Sequence, residues 1–272
     1  MNHRQTVRLG AVNYLNTKPL IHGLAELAPQ ATLVLDLPSR LADALAAGRL
    51  DVALIPSIEF FHEPAYKIVS DACIACRGPV MSVKLFSRVP VERIESLALD
   101  EGSRTSVALV RILLAERFGL RPQLEPLAIG AGVSDTRADA VLLIGDRAMR
   151  SAGGPFAAVW DLGDEWCRWA GLPFVFAMWV ARPGIDLDGL DEALSSARDS
   201  GLAHLEAIAE TEAAPLGLSR PECVAYLRDN LHFHLGPREK RGLDLFRRLC
   251  LNLESAPRQR SIAEMADDEV MG

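Results

Sequence analysis

The first sixty residues set apolar positions at alternating strand and helix spacings. Val7, Leu9, Ala11 and Val12 read as a buried strand, Asn13 to Asn16 as a tight polar crossing, and Thr17 onward as a helix presenting Leu20, Ile21 and Leu24. Asn16 takes the place of an N-cap, and Pro19 fits a first helical turn, where its missing N–H has no partner to lose. Thr32 to Asp36 is a second strand, Pro38-Ser39 opens a helix to Ala47 that Gly48 ends, and Asp51 to Ile55 is a third strand. Such a βαβαβ start implies a parallel sheet with helices on its faces. Ligands of these sheets sit beyond the carboxyl ends of the strands. Two loops converge there, Asn13 to Asn16 and Pro56-Ser57.

Two extended β-rich stretches follow, Gly78 to Pro90 and Gly171 to Pro183, each opened by glycine near a proline and closed by arginine near another. They look like partners. Between them lies a separate α/β unit: strands Ser96–Leu99, Gln123–Leu127, Ala138–Ile144 and Ala157–Leu162, with helices Ser106–Phe118, Asp146–Ser151 and one around Glu165–Trp169. A chain that leaves one domain by a long strand and returns by another makes two lobes joined by two hinge strands, the layout of periplasmic-type binding proteins. The expected lobes are residues 1–88 plus 178–272, and 89–177. One continuous sheet also satisfies the periodicity. From Asp188 the pattern is helical: a long amphipathic segment with a break at Gly201, then Pro221–Leu231 and Pro237–Leu253, which are expected to buttress the first lobe. The polar tail from Glu254 has no sustained apolar face and is expected to be mobile.

With 49% hydrophobic and 24% charged residues over 272 positions, the chain has a globular composition and needs no staples. The N-terminus does not resemble a signal peptide and no apolar run reaches the length of a membrane span, so a cytoplasmic protein with reduced cysteines is expected. Cys73 and Cys76 form a CxxC with no second pair, which reads as two small core residues on a strand. A net charge of −7 argues against a nucleic-acid surface. An anionic ligand must then be held by local groups. There is no GxGxxG, P-loop or HExxH, so no cofactor and no metal is expected.

The opening strand end and helix start would aim free backbone N–H groups, the positive end of a helix dipole and the Asn16 amide at one point, a fit for a carboxylate or phosphate. The same residues also read as an ordinary capped turn. Asp100 to Ser106 repeats the device before a helix carrying Val107, Leu109, Val110, Leu113 and Leu114: Ser103 caps, while Thr105 and Ser106 offer hydroxyls. Two facing cradles fit a small dicarboxylate. Asp146 caps the helix after the AVLLI strand, Arg147 pairs with it or with a ligand, and Ser82 either faces a cleft or makes a core hydrogen bond. His232-Phe233-His234, near a helix end, reads as packing, and Trp166 and Trp169 as packing under a lobe.

The segments AVNYLNTKPL, DVALIPSIEF (from Asp51), GPVMSV (from Gly78), SRTSVAL (from Ser103) and LLIGDRAM (from Leu142) together resemble the chorismate dehydratase family, which opens the futalosine route to menaquinone. The resemblance runs from about Arg8 to Pro183. It implies the two-lobed type 2 periplasmic-binding-protein fold in a cytoplasmic enzyme that converts chorismate to 3-[(1-carboxyvinyl)oxy]benzoate and water. It further implies Asn16 and Ser82 as supports for the leaving hydroxyl, and Thr105 and Ser106 on a carboxylate with Ser57 assisting. Ser103 and Asp146 complete the set expected around the substrate. No histidine or carboxylate in these motifs must act as base, so the substrate's enolpyruvyl carboxylate is the expected proton acceptor. Two alternatives stay open: a solute-binding protein that closes on a small anion without chemistry, and the sister family that cleaves cyclic de-hypoxanthine futalosine. That family has a histidine after the strand ending here at Ile144, where this chain has Gly145.

Overall fold

The computed structural model describes residues 6–149 and 154–255. The tail expected to be mobile lies, past Ser255, outside them, as does the end of the helix expected to reach Ser151. The chain opens with β1 (Val7–Val12), a 3-10 helix over Leu15–Ile21, α1 (Leu24–Leu27), β2 (Ala31–Asp36), α2 (Pro38–Ala46), β3 (Val52–Pro56), α3 (Ser57–His62) and β4 (Lys67–Cys76). It then crosses to β5 (Val83–Ser87), β6 (Ser96–Asp100), α4 (Arg104–Phe118), β7 (Gln123–Leu127), β8 (Ala140–Ile144), α5 (Asp146–Met149), β9 (Ala158–Asp161) and α6 (Leu162–Ala170). It returns as β10 (Phe174–Ala181), α7 (Leu190–Ala203), α8 (Leu205–Glu212) and α9 (Arg220–Ala225), which runs on as a π-helical turn over Tyr226–Asn230. β11 (His232–His234) and α10 (Pro237–Ser255) follow.

These strands form two sheets, ordered β11-β4-β10-β3-β1-β2 and β7-β6-β8-β5-β9. β1 pairs in parallel with β2 and β3, as the βαβαβ pattern requires, and β10 enters antiparallel between β3 and β4. Every residue of β3 and β10 is buried, which is why both read as unbroken apolar runs rather than alternating ones. The second sheet buries Leu97, Leu99 and Leu142 under α4, whose Leu109 and Leu113 are inaccessible to solvent. Its other face packs Phe86, Val141 and Leu143.

The two extended stretches are not sheet neighbours. β5 lies between β8 and β9 in the second sheet, whereas β10 is central to the first. Among the described residues the chain leaves the first sheet after Cys76, enters the second at Val83 and rejoins the first at Phe174, whereas the expected lobe boundaries fall after 88 and before 178. His232 to His234, just past the helical turn that ends at Asn230, form an edge strand on β4. The long helix breaks at His204, not at Gly201, which sits inside α7 where a Cβ would lie 2.1 Å from Pro19 O. α10 packs on β10 and α3 but also on α4, so it braces both lobes rather than the first alone. Its Phe246 meets Phe174 and Trp166 edge-on, and a Cβ on Gly242 would lie 2.1 Å from Pro173 O in the second crossing.

Candidate active site

β1 ends in the turn Asn13-Tyr14, and the helix after it is a short 3-10 helix because Pro19 lies inside it and Gly23 leaves it at φ +68. Tyr14, not Asn16, holds the N-cap position and makes no side-chain cap. Asn16 therefore falls within the first turn, its amide free for the cavity beside it. The turn docks on the second lobe. Leu15 N–H donates to Asp146 Oδ1 at 3.4 Å, and the Tyr14 ring covers Gly145 so closely that a Cβ there would be 3.0 Å from it. Gly145 also has φ +66, a backbone region that favours glycine.

Facing this turn is the start of α4. Ser103 Oγ accepts from Ser106 N–H at 3.2 Å and donates to Ser106 Oγ at 2.8 Å, the cap its sequence position implies. Thr105 Oγ1 accepts from Ile58 N–H at 3.3 Å and lies 3.5 Å from Ser57 Oγ, so it ties the start of α3 to the start of α4. Ser57 donates to Val175 O at 2.8 Å.

Ser82 ends the first crossing. One carboxylate fixes that segment: Asp161 caps α6 through Gly163 N–H and Asp164 N–H, and accepts from Val80 N–H at 2.9 Å and Met81 N–H at 2.6 Å. Met81 is held at φ +62, unusual for a residue with a side chain. Ser82 O accepts from Gly145 N–H at 2.8 Å, while its hydroxyl reaches only Val80 O at 3.4 Å.

A cavity of about 60 Å³ lies between these elements. Its polar wall is Tyr14, Asn16, Ser82, Ser103, Thr105 and Ser106, and its apolar wall includes Val12, Ile74, Val80, Val83, Ile144 and Phe176. The structure thus brings together five of the seven residues expected there. Ser57, fully buried, and Asp146, bound to Leu15 N–H, stand outside the wall and hold the elements that form it. No acidic, basic or histidine side chain lines the cavity among the described residues. The charges that act on the Tyr14 phenol are Asp100, Arg147 and Asp146, of which the first two are paired at 2.5 Å. Asp100 is inaccessible and also accepts from Gly102 and Ile144 N–H, yet burial still pushes its carboxyl above the usual range. Burial, with the negative charge of Asp100, pushes the Tyr14 phenol up to about 12. Arg147 pairs with Asp100, and its other N–H donates to Ala131 O at 2.6 Å. Among the described residues, no group of three or more His, Cys, Asp or Glu side chains is placed to hold a metal ion.

Two residues escape sequence reasoning, Asp161 and Tyr226, and Asp100 enters it only as the start of the second cradle and not as the partner of Arg147. Asp161 shows no motif beyond a strand end before a helix, and its partners lie about eighty residues earlier. Tyr226 is 1% exposed, and its hydroxyl makes no hydrogen bond of normal geometry, although Ser82 and Asn16 are its side-chain neighbours.

The same two-lobed arrangement is found in solved structures. A protein from Archaeoglobus fulgidus superposes with a TM-score of 0.73 at 15% identity, covering 94% of this chain and all of that one. The periplasmic aliphatic sulphonate binding protein of Escherichia coli superposes at 0.61 with 17% identity, covering 96% and 91%. At these identities the likeness is one of fold, and the fold is that of type 2 periplasmic binding proteins. A chorismate dehydratase of Thermus thermophilus is 32% identical over 267 residues, covering 92% of this chain and 96% of its own. A profile described as menaquinone biosynthesis matches residues 7–252, through both lobes and every wall residue of the cavity. By that match and that identity, the chain belongs to the menaquinone biosynthesis family.

Proposed function

We propose that the cavity takes chorismate and that the protein is a chorismate dehydratase, a carbon–oxygen hydro-lyase of the cytoplasm acting without a cofactor. The observation that carries this reading is the wall itself: hydroxyls, an amide and the start of α4, with no carboxylate, histidine, lysine or arginine among the described residues. Such a wall orients an anion and supports a departing hydroxyl, but it removes no proton. The base comes with the substrate. The enolpyruvyl carboxylate takes the C3 proton, the C3–H electron pair closes the third ring double bond, and the C4–O bond breaks. The hydroxyl leaves as water with that proton. Aromaticity drives the step, and the protein contributes orientation and hydrogen bonds to the leaving oxygen from Asn16 and Ser82.

The ring carboxylate is assigned to the start of α4, where the N–H groups of Arg104 and Thr105 precede the first intrahelical bonds and Ser106 adds a hydroxyl. The sister reaction needs a side chain where Gly145 stands, and the Tyr14 ring fills that space. Incubation with chorismate alone, followed by mass and ultraviolet absorbance, tests the reading: loss of one water and a substituted benzoate spectrum are expected. Unchanged chorismate that raises the melting temperature would instead favour a binding protein.

A further inference from the structure

Asn16 and Ser82 come from different lobes and share one neighbour. Tyr226 opens the π-helical turn after α9, a local widening that is frequent at functional sites. Asn230 Nδ2 at the end of the turn donates to Pro79 O at 3.0 Å, which seats the turn on the crossing that carries Ser82. A buried phenol without a partner is unfavourable to folding, so its presence calls for another cause. Both neighbours have capacity for it. The Ser82 hydroxyl is held only by the long contact to Val80 O, and the Asn16 amide keeps two N–H donors beyond the 3.4 Å contact from Thr17 to its oxygen. Burial keeps the phenol protonated far into the alkaline range, so it remains a donor wherever the enzyme is assayed.

We propose that Tyr226 is a positioning residue for the dehydration: its O–H donates to Ser82 Oγ, its oxygen accepts from the Asn16 amide, and the Ser82 O–H is thereby turned into the cavity. The three donors point the same way along one chain and reinforce each other, and no proton changes owner. The second Asn16 N–H remains for the leaving oxygen.

This inference rests on the chorismate reading, and one set of steady-state measurements separates the two. Wild type, Tyr226→Phe, Ser82→Ala and the double variant are compared on chorismate, with melting temperatures for all four. Tyr226→Phe is expected to lose about 10-fold or more in kcat, with KM changed by less than about twofold. Its melting temperature should stay within a few degrees of wild type, because phenylalanine keeps the buried ring packing and gives up only the hydrogen bonds of one hydroxyl. The double variant should be slower than Ser82→Ala by much less than the loss seen in Tyr226→Phe alone, since most of the effect of the hydroxyl passes through that serine. Tyr226→Phe turnover within about twofold of wild type, or losses that multiply in the double variant, would overturn the inference and leave the reaction assignment standing. A melting temperature lower by several degrees would overturn it too, by marking the hydroxyl as packing. A wild type that leaves chorismate unchanged brings down the reading itself, and that result is seen before any variant is compared.

Discussion

Met81 adopts φ +62 one residue before Ser82, and the Asp161 carboxylate holds it there by accepting both preceding N–H groups. Asp161→Asn keeps one acceptor oxygen and loses the other, so a loss of about 1–3 kcal/mol in stability is expected. The loss in kcat should exceed what unfolding explains, because Ser82 loses its fixed approach. Melting temperature and kcat measured on the same preparation check both. Acid–base chemistry at this scale leaves a second signature. Among the described residues the only titratable side chain in the wall is Tyr14, pushed up to about 12, so kcat should be flat from roughly pH 6 to 9. The rate should fall only in acid, below about pH 4, where the substrate's own carboxylates take protons and the base form is lost. A pH–rate profile with a limb near 6.5 would point to a histidine that the wall lacks. Asn16, Ser82 and the Ser103–Ser106 cluster are legible in the sequence because strand ends and helix starts are local. Tyr226 is not, because its neighbours lie more than 140 positions away and its inward turn depends on a π-helical widening that no spacing announces.

Among the elements, the 3-10 helix Leu15–Ile21 decides where Asn16 points, and α7 decides where that helix sits. Gly201 makes this possible by letting α7 approach the Pro19 backbone, which a Cβ would strike at 2.1 Å. Gly201→Ala cannot be absorbed by a side-chain rotation, since the neighbour is backbone. A cost of about 1–3 kcal/mol is expected, together with reduced turnover as the turn carrying Asn16 is displaced; thermal melting and kcat read the two effects. In the sequence Gly201 looks like a helix breaker because glycine is a poor helix former, and only the packing shows why it is needed. α2, α4 and the parallel strands β1 to β3 are legible almost to the residue, since each pairs a strong period with a recognisable start. The pairing of β5 and β10 is not, because periodicity identifies a strand without naming its neighbour.

At the scale of the molecule the lobes meet through exposed charge as well as through the cavity. Arg104 at the start of α4 reaches Asp43 at 2.7 Å and Glu59 at 3.2 Å, both in the first lobe. These pairs are solvent-accessible and screened by salt, so Arg104→Ala should raise KM by a few-fold at low ionic strength and by less in about 1 M salt, with kcat little changed. Far from the cavity, Arg8 and Arg182 converge on Asp51 and join β1, β3 and β10. The hydrogen bond from Arg8 is the largest cause that lowers the Asp51 pKa to about 2. A depressed carboxylate adds stability above its unfolded pKa and loses it as pH falls through the folded one. Asp51→Asn should therefore lower the melting temperature by a few degrees at pH 7, a gap that closes between about pH 4 and pH 2.

The place of β10 in the first sheet also sets a timetable. β3 and β4 are held apart by a strand that follows β4 by roughly 100 residues, which ribosomes take about 5–20 s to add. By the end of that interval the second lobe, whose strands all lie between the two crossings, has every strand partner it needs and can fold. The first lobe, begun earlier, waits with two unpaired apolar edges exposed. The half of the protein made first is the half finished last, so in the cell the nascent β3 and β4 are the segments that most need shielding by chaperones.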